Sequence, residues 1–556
     1  MGEDVPWPAP PREPGPWNGG PPVAPPGNTP LPPLPGASGT MGGTPATPNP
    51  WNQNPVPSVH IPPDRRPPGS PVPGPPPQPP GAPVPAAGST LKPRAPIALR
   101  AVAVIIVLAM VAAGVLLVLK GGRQYPSEWD PKVKDIAEWV AEARELDYEH
   151  PVKVNFLTDA EYTEHATAGG DVTDPATAAY YDDQAAQLRA LGFISGKVDL
   201  ASANDTLSDS GTLAYYDPDV EQVFVRGTDM TPALRVTLAH ELTHVLQDQH
   251  FDLQRMGELP SGEASVLRAL AEGDASRIED TYVDQLSDDD RAAYEEESQA
   301  SGEDASDELD EKVPPILTTL FASPYILGPQ LIDVLDQTGG SKAIDRALQD
   351  PPSEEALFDP RTYGTEALAA QPTTVAAPAG AEPIDDGEFG PTTWYLMLAA
   401  RMDPKVALDA TDGWGGDAYA VYRKDDAVCV SISYRGDTEE DVAEMSAALK
   451  TWVAASPKGS ASATEEDGTI AFESCDPGED AASAGDVSPD LLAIPVTRTQ
   501  VYSSSLENAT EDQASCFAQG VIDRFTTAQL TDPTGAFVNS EPGQAILNEL
   551  RQGCAG

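Results

Sequence analysis

The sequence predicts an α+β fold behind a disordered tail, and three observations carry that reading. Helical periodicity at 125–150, 180–191, 231–250 and 263–286 is interleaved with only short strands, at 152–157 and 220–226. A second set follows a bridge rich in Ala, Pro and Thr: strands at 419–422 and 428–434, then a helix at 439–454. More than half of the 59 prolines crowd into residues 1–96.

That proline-rich stretch has almost no apolar periodicity and cannot bury enough surface to offset its ordering entropy, so residues 1–96 read as disordered. Runs such as residues 75–80 would suit a proline-binding partner, although a plain extended tether is the simpler reading. Residues 101–119 form an uncharged run of Ala, Val, Ile, Leu and Met with one Gly, between Arg100 and Lys120. At about 1.5 Å per residue it approaches the roughly 30 Å of bilayer hydrocarbon. It lies too far along the chain for a cleaved signal peptide, so residues 97–120 read as a transmembrane signal anchor in the lipid bilayer.

Basic residues flank this run on both sides, and the positive-inside rule gives no orientation. Cysteine does. Cys429, Cys475, Cys516 and Cys554 all lie in the last third, an even number without CxxC spacing, which suits two disulfides and an oxidising exterior. The expectation is a single-pass cell-membrane protein with a cytoplasmic tail and an extracytoplasmic folded part, its cysteines paired in sequential order. The net charge of −53 excludes the basic footprint that nucleic-acid binding requires. The acidic stretch at 287–311 reads as a solvated helix or insert, since it lacks the glycine turn of a calcium loop.

Chemistry concentrates in residues 125–368, at His240-Glu-Leu-Thr-His244. Thr231 is a good N-cap and Pro232 suits the first helical position. Leu234, Leu238, Leu242 and Val245 then recur at helical spacing as a core stripe. Side chains four apart share a helix face, so His240 and His244 can grip one metal ion, with Glu241 close enough to serve a water on it as general base. His250 projects away from that face. Two histidines and a water leave a zinc (Zn2+) site one protein ligand short. Glu272, in Glu-Gly-Asp-Ala, is the natural third ligand, with small residues Ser265, Ala269 and Ser276 on its face to admit the first helix. Glu263 is the rival. Asp274 could accept the free ring N–H of a ligand histidine.

These pieces together resemble gluzincin-type zinc metallopeptidases. The string His-Glu-Leu-Thr-His-Val-Leu-Gln-Asp-Gln-His-Phe-Asp-Leu, with Glu-Gly-Asp-Ala after it, is similar to a family of bacterial membrane-anchored metallopeptidases not yet assigned a substrate. The resemblance covers roughly residues 130 to 455 and implies a zincin-like domain, an extracytoplasmic peptide or protein substrate, and one catalytic zinc. It also implies that the strand at 222–226 receives the substrate along its edge. An oxyanion donor is needed, and Tyr325, Arg361 and Tyr363 are the candidates.

Beyond that domain, residues 387–456 read as a small α+β module or a second lobe, 457–498 as a linker with short strands, and 499–556 as a disulfide-linked helical end. The expected activity is zinc-dependent peptide hydrolysis. A non-catalytic zinc-binding envelope scaffold is the alternative, against which the intact Glu241 speaks.

Overall fold

A computed structural model of the protein describes residues 125–167, 175–210, 213–257, 259–363, 373–532 and 534–555. The first layer contains helices α1 (Lys134–Arg144), α2 (Asp159–Ala166), α3 (Pro175–Ala190) and α4 (Leu200–Asp209). Its strands are β1 (Lys153–Leu157), β2 (Ala214–Asp217) and β3 (Gln222–Arg226). They form a mixed sheet in the order β1-β3-β2, with β1 parallel and β2 antiparallel to β3.

Tyr215 and Tyr216, both good strand formers, extend β2 until Pro218 ends it. One expectation changes here. The strand at 222–226, expected to offer its edge, is the middle strand with both neighbours in place. The edge that faces the metal helix is β2.

Helix α5 (Pro232–Phe251) starts as its caps predict: the Thr231 hydroxyl accepts from the Leu234 N–H. The predicted stripe of Leu234, Leu238, Leu242 and Val245 is buried, but so is most of the rest of the helix, because α5 is enclosed on every side. Next come α6 (Ser261–Asp284), the acidic α7 (Asp288–Lys312), α8 (Pro315–Gly339) and α9 (Ser341–Gln349). The small residues of α6 admit α8 rather than α5. A Cβ at Gly328 would lie 2.0 Å from the Ala269 carbonyl oxygen, and one at Gly273 would lie 2.5 Å from the Gly328 carbonyl carbon.

The chain then builds a five-stranded antiparallel sheet in the order β4-β5-β6-β8-β7, from β4 (Glu382–Gly387), β5 (Trp414–Lys424), β6 (Ala427–Gly436), β7 (Ala461–Glu466) and β8 (Thr469–Cys475). Helices α10 (Gly390–Ala399), α11 (Pro404–Thr411) and α12 (Glu439–Ala455) accompany it. The helical end runs through α13 (Ala493–Leu506), α14 (Glu511–Arg524), α15 (Thr527–Leu530) and α16 (Glu541–Gly553). One hydrophobic core joins α6, α8 and α9 to this sheet and to the helical end. Cys429–Cys475 ties facing residues of β6 and β8, and Cys516–Cys554 ties α14 to the end of α16.

The membrane-spanning helix expected at 97–120 is not sustained. Those residues, like the proline-rich tail, lie outside the described ones, and among the described residues no helix is long and apolar enough to cross a membrane. Even α8, an apolar long helix, carries Asp333 and Asp336 and packs against α6 and α13. The α+β architecture stands without it.

Two expected outcomes follow from this packing. Gly328→Ala should cost roughly 1–3 kcal/mol, because a new methyl group meets backbone that cannot swing aside. A thermal midpoint unchanged from wild type would show that α6 and α8 separate freely. Glu355 is 6 % exposed, and burial, helped by the Asp437 charge, pushes its carboxyl up to about 8. Between its ordinary value and that value the folded state holds a proton the unfolded chain has released, so stability falls as pH rises through the window. Glu355→Gln should therefore gain stability relative to wild type at about pH 9 but not at about pH 5, as read from urea midpoints.

Candidate metal centre

Helix α5 presents His240 and His244 one turn apart, and α6 crosses it so that Glu272 meets both. Glu272 Oε2 lies 3.2 Å from His240 Nε2 and 3.3 Å from His244 Nε2. Each of these three residues is at most 1 % exposed.

Hydrogen bonding fixes what these atoms are. Gln247 Nε2 donates to the Ala271 carbonyl and to Asp274 Oδ2, so the amide oxygen is the atom that meets His244. That oxygen can only accept, and His244 Nδ1 must donate to it at 2.9 Å. His240 Nδ1 likewise donates to Glu279 Oε2 at 2.9 Å. A neutral imidazole with its proton on Nδ1 turns a lone pair outward from Nε2. Two such lone pairs and a carboxylate oxygen thus converge at one point, an arrangement that calls for a cation between them. Donors about 2.0–2.1 Å from a shared tetrahedral ion stand about 3.3–3.4 Å apart, which matches the two separations above.

Charge couples these groups tightly. Burial opposes charge on Glu272, but the His244 and His240 rings outweigh it and hold the carboxyl below the usual range. Burial also opposes charge on His240, and there the Glu272 and Glu279 carboxylates prevail and raise its pKa. An ion replacing that shared proton would meet a carboxylate already poised to ionise.

Glu241 is fully buried next to this group. Its Oε2 accepts from the Tyr216 backbone N–H on β2 at 2.8 Å, while its Oε1 has no hydrogen-bond partner. Burial pushes its carboxyl well above the ordinary value, with Glu272 and Glu279 adding to the shift and His240 opposing it. Tyr325, on α8, donates its hydroxyl to Glu272, and its ring centroid lies 6.5 Å from that of His240.

The other candidates fall elsewhere. Glu263 is exposed near the start of α6 and is not part of the group. His250 turns outward and bonds the Asp147 carbonyl. Arg361 is held by Asp359 and Ser515, and Tyr363 packs against the main core. Asp274 does not take a histidine proton directly: Gln247 intervenes, and Asp274 in turn is held by Arg144 at 2.7 Å and Arg277 at 3.0 Å. Burial disfavours its charge, and these arginines outweigh that.

Three participants escape the sequence reading. Glu279 lies two turns beyond Glu272 on the same helix, and Gln247 lies three residues beyond His244, so helical spacing holds a signal for both. The Tyr216 N–H is a backbone group and has none.

The site therefore defines a chain with a buried His-His-Glu set able to hold a metal ion, the one such group of three found among the described residues. By sequence, residues 380–488 match a family model described as a domain of unknown function, DUF8575. That stretch holds β4 through β8 and begins well beyond the metal helices, which it does not include. No curated protein and no solved structure matches the chain.

If Glu279 and Gln247 orient the two rings, Glu279→Gln and Gln247→Leu should each weaken metal binding by roughly 10–100-fold. Competition against a chromophoric chelator measures this, and an unchanged affinity in both would separate the rings' orientation from these bonds.

Proposed function

We propose that the protein is a zinc-dependent metallopeptidase acting in an oxidising, extracytoplasmic compartment. The observation that carries this reading is Glu241: a buried carboxylate with one oxygen tied to β2 and the other unbonded, beside three converging ligand atoms. A metal site serving structure alone has no use for that acid.

His240, His244 and Glu272 would hold the ion. When bound, it supplies Lewis acidity, polarising a peptide carbonyl and making a nearby water more acidic. Glu241 Oε1 takes the proton of the attacking water and returns it to the departing amine nitrogen, while Oε2 stays anchored on Tyr216. We assign the Tyr325 hydroxyl, once released from Glu272, to meet negative charge growing on the carbonyl oxygen. The peptide would run along the outer edge of β2, the strand whose Tyr216 N–H holds Glu241. Two disulfides support the oxidising compartment.

The purified protein should bind one equivalent of zinc and cleave members of a broad peptide library. Glu241→Gln should keep the zinc and lose roughly 10²–10⁴-fold in rate, whereas Glu272→Ala should lose the metal. Zinc retained by all three with no cleavage by wild type would overturn the proposal in favour of a non-catalytic zinc-binding role.

A further inference from the structure

A cleft of about 990 Å³ lies between the metal helices and the module at 380–488. Three elements that serve the metal centre line one side. Tyr215 and Asp217 flank Tyr216 on β2, Arg268 lies one turn before Glu272 on α6, and Pro324 precedes Tyr325 on α8. The module contributes Glu388, Phe389, Thr392 and Tyr419, with Glu354 at the joint.

The charged residues lining this cleft are Asp217, Asp219, Glu354 and Glu388, with Arg268 and His165. Acid outweighs base, and the module side is purely acidic. Glu354 is 6 % exposed, and its Oε1 accepts from the Ser265 hydroxyl at 2.8 Å. Two glycines make room for the carboxylates. A Cβ at Gly390 would lie 2.2 Å from Glu354 Oε2, and one at Gly262 would lie 2.0 Å from Glu388 Oε1. Gly390 also has φ +75°, a backbone conformation that side chains other than hydrogen disfavour.

Among the described residues neither carboxylate forms an ion pair; the charges that bear most on them are other acids, Glu388 on Glu354 and both Asp417 and Glu263 on Glu388. Burial first, and these neighbours second, push both carboxyls up to about 7. Two carboxylates seated against the first turns of α6, where the module meets the metal helix, are complementary to a positive charge arriving with the substrate.

We propose that the module at 380–488 is the substrate-recognition wall of the cleft, and that Glu388 and Glu354 select a peptide bearing a Lys or Arg side chain. This rests on the metallopeptidase reading, and binding is therefore measured apart from cleavage. Two fluorescent peptides that differ only in Lys against norleucine are titrated by anisotropy into zinc-loaded Glu241→Gln protein, then into the same protein carrying Glu388→Lys, Glu388→Gln or Glu354→Gln. The Lys peptide should bind at least about 10-fold more tightly than its twin, a preference that Glu388→Lys removes and either Gln substitution reduces. A melting curve on each variant shows that it is folded, and should Glu388→Lys fail to fold, the Gln variants decide.

Equal binding of the two peptides, or a Lys preference that none of the variants alters, overturns the proposal. In wild-type protein the same preference should appear in kcat/KM. A Lys preference in binding with no cleavage of either peptide would leave the recognition wall standing and sink the peptidase reading instead.

Discussion

The structure is organised around a carboxylate and two imidazoles sealed together in the interior. An isolated buried charge is unstable unless it is paired and hydrogen-bonded, so each group near Glu272 is tied to something further out. His244 leads through Gln247 and Asp274 to Arg144, at the end of α1, and Arg144 leads on to Asp345 on α9. His240 leads to Glu279, and Glu241 leads to the edge strand β2. One buried polar network thus spans five elements and sets how α5 and α6 cross. That crossing fixes the spacing of the three ligand atoms.

Packing holds the same arrangement from the other side. Gly328 of α8 rests on Ala269 and Gly273 of α6, and the glycine in Glu-Gly-Asp-Ala is therefore a packing requirement between the helices that carry Glu272 and Tyr325. The approach sets Tyr325 over His240. The β-sheet module has its own anchor. Asp417 accepts from the Trp394 and Trp414 ring N–H groups and from the Phe389 backbone N–H, which pins the start of α10 to β5. Glu388 and Gly390 stand next to that anchor, so the cleft wall has little freedom to drift from its sheet.

Much of this was legible without coordinates. The cap at Thr231, the histidine spacing and the run of helix through Glu272 all follow from local rules; the order in which the cysteines pair does not, since it depends on β6 meeting β8. A helix places residues four apart on one face whatever surrounds it. What failed was topological. Whether residues 222–226 form an edge or a middle strand depends on where β1 and β2 dock, and no local pattern records that. The membrane-spanning helix was inferred from hydropathy alone and has no counterpart among the described helices.

By itself the sequence determined which residue types could converge on a metal ion and which helices carry them, because ligand identity and helical spacing are local properties. Tertiary structure decided the rest. It grouped Glu272 rather than Glu263 with the two histidines, placed Gln247 between His244 and Asp274, brought the Tyr216 N–H to Glu241, and seated Glu388 of the module against Gly262 of α6. These outcomes depend on the crossing of α5 and α6 and on the shared core, through contacts between residues tens to more than a hundred positions apart. Side-chain pattern along one segment carries no record of such contacts; only the packed chain brings them into being.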